Sequence, residues 1–486
     1  MPRRSVTLPL MLTPREPRTP AYQWLSRALR AAIGAGHLGP GHRLPATRDL
    51  ARQYGLSRGT VVAAFEVLHA DGYLEGRIGS GTRVSAALPA ASRAAAAAAP
   101  AASPTPRRRF STAAARVTPF VLHGTASPRA FRANQPALDL FPASVWARVA
   151  AAAVRRASAD LRLGCESLGY PPLRAAIADY LTVSRGVSCR PEQVAVVSGV
   201  QDALAVIAHL FVDPGDAVGL EDPGYTGAHR VFASAGARLA PIAVDADGAV
   251  VPARRRRLRL AYLTPAHQFP LGMAMTLPRR LQWLAWARAA GAVLVEDDYD
   301  SEFRYSGRPM AALQGLDHDG SVIFVGSLSK VLCPSLRVGY LVVPDDLVDR
   351  VAGWLSVSGR HVSPLLQAAL ADFMTEGHFA RHLRRARDVY AARRGALLDG
   401  AARWLGGRLD VTPVEVGLQT VGYLTDGVTA EGVARAAAQR DVEVRPLARY
   451  ARALPVREGL QIGFAAADEA EIARGVETLA RAIDTA

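Results

Sequence analysis

An α/β fold built on a mostly parallel sheet, standing behind a small basic helical module and a tether, is the architecture this sequence predicts, on three observations. From residue 190 onward, seven apolar runs of strand length, "VAVVSG", "AVGLED", "RLAPIAV", "LRLAYLT", "AVLVEDD", "VIFVGS" and "VGYLVVP", alternate with helical stretches. That alternation is the pattern of a sheet whose crossover connections are helices. Residues 86–116, "AALPAASRAAAAAAPAASPTPRRRFSTAAAR", hold fifteen alanines and four prolines and hardly a large apolar side chain. They cannot build a core, and the prolines break a long helix, so the segment reads as a semi-flexible tether with a basic patch at Arg107, Arg108 and Arg109. The net charge of +15 is also uneven: residues 1–85 carry twelve arginines against five acids, the tether adds five arginines and no acid, and only +3 is left for the other 370 residues. A basic module of this kind suits a polyanionic partner, although merely solvated arginine-rich helices would give the same count. The chain therefore divides into 16–85, 86–116 and 117–486, with a smaller α+β subdomain expected over about 375–486.

With 486 residues, 50% of them hydrophobic, the chain can bury a large core. The apolar stretch near the N-terminus is interrupted by Pro9 and ended by charges, too little for a signal peptide, and no apolar run reaches membrane-spanning length. Cys165, Cys189 and Cys333 are too far apart for a CxxC metal pair and odd in number for a disulfide framework, so free thiols, no metal and a reducing cytoplasm are expected.

In the first module, "AYQWLSRALRAAI" places Tyr22, Leu25, Leu29, Ala32 and Ile33 on one helical face. "LPATRDLARQYGLSRGTVVAAFEVLHADG" then predicts two helices around a tight turn. Leu50 and Tyr54 point inward from the first, Gly55 permits the turn, Ser57 caps the second, and Val61, Phe65 and Leu68 form its buried stripe. The start of that second helix presents Ser57, Arg58 and Thr60, the end that a recognition helix directs at base edges. "GYLEGRIGSGTRV" alternates around Gly76, Gly79 and Gly81, as a hairpin wing would. Over residues 44–84 this stretch resembles the winged helix-turn-helix of the GntR family, whose pattern "LPSxRxLAxxxxVSRxTVxxAxxxLxxxGxLxxxxGxGTxV" it meets almost throughout. The resemblance implies double-stranded operator DNA as partner, with contacts from Arg43, Arg48, Ser57, Arg58, Thr60, Arg77 and Gly79. Helix-turn-helix shapes also serve as protein-interaction modules; the local charge of +7 speaks for DNA.

In the large domain, "GSLSKVLCPSLRVGY" at 326–340 holds Lys330, the one lysine among 58 basic side chains. Arginine can pair with carboxylates and phosphates, but a guanidinium stays protonated and cannot attack a carbonyl, whereas a lysine of lowered pKa can. The usage nominates Lys330 as an amine for a Schiff base with an aldehyde cofactor, against the alternative of a surface lysine surviving in an arginine-biased sequence. Its neighbours decide. In a parallel sheet the ligand crevice lies at the carboxyl ends of the strands, where this chain places its polar residues. At "VSGVQDALAVIAHLF" a strand turns into a helix at Ser198 and Gly199, and that helix start, with the Ser198 hydroxyl and Gln201, can cradle a phosphate. "EDDYD" sets Asp297 and Tyr299 at the crevice, Ser327 and Ser329 flank Lys330, and Arg337 suits a phosphate clamp. An amine nucleophile, a phosphate cradle, a carboxylate and a phenol together describe pyridoxal 5′-phosphate, with Asp297 on the pyridine nitrogen and Tyr299 on the phenolic oxygen. Singly, Asp297 beside Asp298 would be an ordinary strand-end acid pair, Tyr225 a core aromatic and Ser198 a helix cap.

These segments resemble the fold-type-I aminotransferases, and with the GntR module in front the chain is similar to the MocR family (GabR-like regulators) over nearly its whole length. "EDPGY", "TPAHQFPLG", "EDDYDSEFRY" and "GSLSKVLCPSLRVGY" carry the likeness. It implies that Lys330, Asp297 and Tyr299 do the cofactor chemistry, that Tyr225 stacks on the ring, that His267 and Gln268 lie near its O3′ side, and that Ser327, Ser329 and Arg337 hold the phosphate. It also implies a homodimer, since such bodies build their cofactor sites at a subunit interface. Two positions depart from the pattern. Gln461 in "GLQIGFA" stands where catalytic relatives carry an arginine for the substrate α-carboxylate, and Gly227 stands where the GABA-sensing member has an arginine. The run Arg254, Arg255, Arg256 and Arg257 reads as a solvated helix end. The main expectation is a regulator that binds operator DNA and senses pyridoxal phosphate, alone or with an amine or amino acid. A working aminotransferase with an accessory DNA module is the alternative, and a regulator with an empty cofactor fold is a third reading, against which the lone lysine argues.

Overall fold

The computed structural model describes residues 8, 15, 19–77, 81–86, 109–118, 129–253, 257–307, 310–425 and 427–486, and the chain forms two compact units, Met1–Arg109 and Phe110–Ala486. Gly79, the side chain of Arg77, and Arg107, Arg108, Arg254, Arg255 and Arg256 lie outside the described residues.

The first unit has helices Ala21–Gly34, Thr47–Tyr54 and Arg58–Ala70, followed by an antiparallel hairpin of β1 (Leu74–Arg77) and β2 (Gly81–Val84). Leu25, Leu29, Leu50, Val61, Phe65 and Leu68 meet in one core, which Leu74 and Val84 of the hairpin close. Gly55 ends the second helix at φ 64°, a left-handed conformation that favours glycine, and Ser57 Oγ accepts the Thr60 N–H at 3.1 Å to start the third. Two expectations need correction. Tyr22 is exposed, because the buried stripe of its helix begins one turn later at Leu25, and Tyr54 is only half-buried.

In the second unit, β3 (Val194–Val197), β4 (Ala217–Asp222), β5 (Arg238–Asp245), β6 (Gly248–Ala249), β7 (Leu260–Leu263), β8 (Val293–Asp298), β9 (Val322–Ser327) and β10 (Gly339–Val342) form one sheet in the order β3-β10-β9-β8-β7-β4-β5-β6. All seven expected runs are strands; the eighth, β6, is a two-residue hairpin return too short to show a period. Strands β5, β4, β7, β8 and β9 are parallel, while β10 runs antiparallel to both β3 and β9. The central strands read as continuous apolar runs because helices cover both faces. The end of the stretch expected to be a tether holds a single-turn helix, Thr112–Arg116, where Ser111 caps a run of three alanines by accepting the Ala114 N–H at 3.1 Å.

The C-terminal part is α+β, as expected. Strands β11 (Leu409–Val411), β12 (Gln419–Leu424), β13 (Arg445–Pro446) and β14 (Gly459–Gly463) make an antiparallel sheet in the order β11-β12-β14-β13, packed on helices His378–Trp404, Ala430–Ala438 and Glu469–Asp484. Asp222, at the end of β4, fastens this part to the large sheet by accepting the N–H groups of Arg452, Ala453 and Leu454 at 2.8, 2.8 and 3.0 Å.

Candidate functional site

The carboxyl ends of the strands converge on a cavity of about 630 Å³ within the second unit. Lys330 enters it from the one-turn helix Leu328–Val331 directly after β9, and its Nζ donates to the Asn134 carbonyl at 2.6 Å. Burial lowers the amine from 10.5 to about 8, against the opposing pull of Asp300 and Asp297, so a neutral nucleophile is within reach near neutral pH. Asp297, on β8, accepts a hydrogen bond on Oδ2 from the Tyr262 hydroxyl at 2.5 Å, and its Oδ1 is buried without a partner. Burial raises this carboxyl to about 7, while Tyr262 and Lys330 pull it down. Tyr299 lines the same wall, its hydroxyl 3.1 Å from His267 Nδ1.

The helix Val200–Phe211 also begins at the cavity, after Gly199, whose φ is 90°. Ser198, Gly199 and Gln201 line the cavity here, and Ser198 gives its N–H to Asp202 Oδ2 at 3.0 Å, which fixes the turn. A Cβ at Gly339 would lie 2.8 Å from the Gly199 Cα, so only glycine lets β10 approach this turn. Ser327, Ser329 and Arg337 face it, with Ser329 Oγ accepting the Val338 N–H at 3.0 Å. Arg337 is a non-glycine residue at φ 53° with no carboxylate partner among the described residues. A helix N-terminus opposed by an unpaired guanidinium is a phosphate-binding arrangement.

Tyr225 covers one side. Gln201 Nε2 donates to its hydroxyl at 3.1 Å, and Phe269 meets its ring edge-on with centroids 5.7 Å apart. Gly227 presses against both partners: a Cβ there would come within 2.3 Å of Gln201 Nε2 and 2.4 Å of the Tyr225 ring. An arginine at 227 is therefore incompatible with this placement of Tyr225.

Two expected residues do not line the cavity. His267 is buried behind Tyr299, with Nδ1 2.8 Å from Asp300 Oδ1. Gln268 Nε2 donates to Glu221 Oε2, the Pro223 carbonyl and the Phe269 carbonyl at 3.2, 3.1 and 2.8 Å. The loop after β7 folds back on itself, so both side chains brace the wall from behind. Arg132, Asn134, Tyr262, Glu443, Arg445 and Tyr450 line the cavity and were not singled out from the sequence.

On the first unit, Arg58 projects from the first turn of the third helix, exposed and without a carboxylate partner among the described residues. Ser57 Oγ lies 2.8 Å from Thr60 Oγ1, so both hydroxyls are engaged in the cap. Exposed Arg48 pairs at 3.7 Å with Asp49. Arg43, also exposed, bridges Arg83 through its backbone and lays its guanidinium along Gly81, bracing the hairpin.

Residues 21–84 match the bacterial regulatory proteins of the gntR family, and residues 130–479 match aminotransferase class I and II. The chain is 40% identical to the "Probable rhizopine catabolism regulatory protein MocR" of Rhizobium meliloti over 97% of its own length and 95% of that protein's. The chain belongs to the MocR family. Within that MocR lineage it is also 31% identical, over 95% of each chain, to the HTH-type pyridoxine biosynthesis transcriptional regulator PdxR of Corynebacterium glutamicum. The solved structure of LysN, an alpha-aminoadipate aminotransferase from Thermus thermophilus, matches 77% of this chain and 97% of its own, with TM-score 0.69 and 30% identity. A MocR protein is a transcriptional regulator that joins a GntR-type DNA-binding domain to an aminotransferase-like domain, and the cofactor this fold implies is pyridoxal 5′-phosphate. The cavity fits that group: the orphaned Asp297 Oδ1 suits a protonated ring nitrogen, Lys330 an aldehyde and Arg337 a phosphate. Among the described residues no helix is long and apolar enough to cross a membrane, and the three cysteines are free.

Proposed function

We propose that this regulator works in the cytoplasm as a homodimer and reports the state of its pyridoxal phosphate site, alone or with a small primary amine or amino acid, to operator DNA. When bound, the cofactor supplies an aldehyde that condenses with amines and a ring that draws electrons. Lys330 is the amine that anchors it. Asp297 holds the ring nitrogen protonated, Tyr299 donates to the phenolic oxygen, and Tyr225 lies against the ring. Ser198, Gly199, Gln201, Ser327, Ser329 and Arg337 hold the phosphate. On the other unit Arg58 reads a base edge, with Ser57 and Thr60 beside it, while Arg43, Arg48, Arg77 and Gly79 follow the backbone.

The observation that carries this reading is a nucleophilic lysine and a carboxylate with one orphaned oxygen facing one cavity, in a chain whose other unit exposes, on a recognition-type helix, an arginine with no carboxylate partner among the described residues. The same lysine and carboxylate, and the likeness to LysN, also suit a working aminotransferase. Against sustained turnover stands Gln461, a fully buried, uncharged amide that accepts from Tyr450 at 2.6 Å and cannot itself form a bidentate ion pair with a carboxylate. Incubation with a panel of amino donors and keto acids tests the choice. A regulator gives no more than a single half-turnover, whereas steady release of new amino acid makes the protein an enzyme.

A further inference from the structure

The wall of the cavity also carries two guanidiniums and one carboxylate. Arg132 Nε donates to Glu443 Oε2 at 2.8 Å, and Arg445 Nη2 approaches Glu443 Oε1 at 3.5 Å; all three residues line the cavity. The two guanidiniums share this carboxylate at the cavity wall, and the charge of Arg445 reaches Lys330. Arg445 is 46% exposed and also lies against the Tyr450 hydroxyl, while Arg132 is 12% exposed, so Arg445 presents the more accessible guanidinium to a ligand.

Its position in the sheet makes this more than a stray surface charge. On β13, Arg445 is registered directly across from Gln461 on β14. Residues directly opposite in an antiparallel pair project on the same face, about 5 Å apart at Cβ. An arginine rooted at 445 therefore serves the same region as one rooted at 461 would. It also lies close enough to Lys330 for its charge to bear on that amine. Tyr450, which lines the cavity, gives its hydroxyl proton to Gln461 Oε1, and Gln461 Nε2 has no partner. Gln461 thus positions Tyr450 and leaves the charge to the neighbouring strand.

Resting on the reading of this cavity as the pyridoxal phosphate site, we propose that the effector is an amino acid and not a simple amine, its carboxylate received by Arg445 with Arg132 behind it, in place of the arginine missing at 461. Arg445 presents a planar fork matched to a carboxylate, and Glu443 holds that fork in place at the expense of part of its charge.

The test uses the full chain loaded with pyridoxal phosphate and follows the visible absorbance of the cofactor during titration with matched pairs: L-alanine and ethylamine, L-leucine and isoamylamine, L-lysine and cadaverine. The wild type should bind at least one amino acid about tenfold or more tightly than its decarboxylated partner. Arg445→Gln should reduce that preference to about twofold or less, a change in the ratio within each pair that a shift common to amino acid and amine, such as one acting through Lys330, would not produce. Glu443→Gln should raise it, because the two arginines lose their shared counter-charge, a change of opposite sign that general loosening of the site would not produce. Retention of the absorbance in each variant shows that the site is folded and loaded. Equal affinity within every pair, no response to any pair, or a preference that survives Arg445→Gln overturns the proposal. A wild-type protein with no cofactor absorbance before any amine is added fails the underlying reading as well, and is distinguished by that.

Discussion

The Tyr262 hydroxyl lies 2.5 Å from Asp297 Oδ2, and the other oxygen of that carboxylate faces no partner. Tyr262 thus spends its donor on keeping Asp297 charged, while the free oxygen is left for a cationic ring nitrogen. Tyr262→Phe removes the donor, so Asp297 holds its proton more firmly and pairs less well with the ring. Pyridoxal phosphate affinity should fall about fivefold, in line with ~1 kcal/mol for one hydrogen bond. Asp297→Asn should cost more, since no charge remains. Titration of the cofactor's visible absorbance checks both, with thermal melting as the control for folding.

Lys330 is the one lysine in the chain, so covalent loading has a single side-chain candidate. Borohydride reduction of the loaded protein should tag only the Lys330 peptide, and Lys330→Ala should lose the tag. Because burial lowers this amine to about 8, its neutral fraction rises through that pH. Loading of the apoprotein should therefore speed up from about pH 6 to 8 and level off near 9. A rate still climbing about tenfold per pH unit beyond that plateau would mark an ordinary exposed lysine.

The segments that announced this site are those in which one strand end supplies several groups at once. "GSLSK" and "EDDYD" were readable because β9 and β8 deliver Ser327, Ser329, Lys330, Asp297 and Tyr299 to the cavity from contiguous sequence. Arg132 and Glu443 meet across 311 residues, and they and Arg445 carry no local signal. Tyr262 stands inside an apolar, fully buried strand and only its hydroxyl reaches Asp297, so nothing in its local sequence marks it as part of the site. For His267 and Gln268 the family resemblance points to the cofactor's surroundings, but only the fold of the loop after β7 separates the cavity wall from its bracing. In the first unit, helical periodicity located the core from Leu25 to Leu68, but not that the stripe stops short of Tyr22.

Arg58→Ala should weaken operator binding by about 1–3 kcal/mol relative to random duplex, the value of one bidentate base contact. Arg48→Ala, which removes a backbone-following cation, should weaken binding to both duplexes alike and reduce the salt slope by about one. Fluorescence anisotropy at several salt concentrations separates the two. Equal losses on operator and random DNA for Arg58→Ala would deny it a reading role.

Glu302 is buried among Asp298, Tyr180 and Arg185, with Oε2 unpartnered; burial, reinforced by Asp298, raises it to about 8. The folded chain keeps this proton where the unfolded chain, titrating near 4.5, has lost it. Stability from this group is therefore complete below about 4.5, falls as pH rises through the window and is lost above about 8. Glu302→Gln, which stays neutral throughout, should flatten the decline by up to about 1.4 kcal/mol per pH unit. Calorimetry of the apoprotein across that window reads the difference, and parallel wild-type and variant curves would refute it.

Communication between cofactor and DNA is a linkage, and linkage is reciprocal: whatever factor pyridoxal phosphate or an amino acid contributes to operator affinity, operator must return to cofactor or amino acid affinity. The decisive measurement is the ligand titration of the cofactor's visible absorbance with and without operator duplex, paired with operator binding by the apo and loaded protein. The sensor reading predicts that both pairs of curves separate by the same factor, about 5-fold or more, and that Lys330→Ala closes the gap. Superimposed curves in both experiments, together with steady turnover of amino acids, would contradict it.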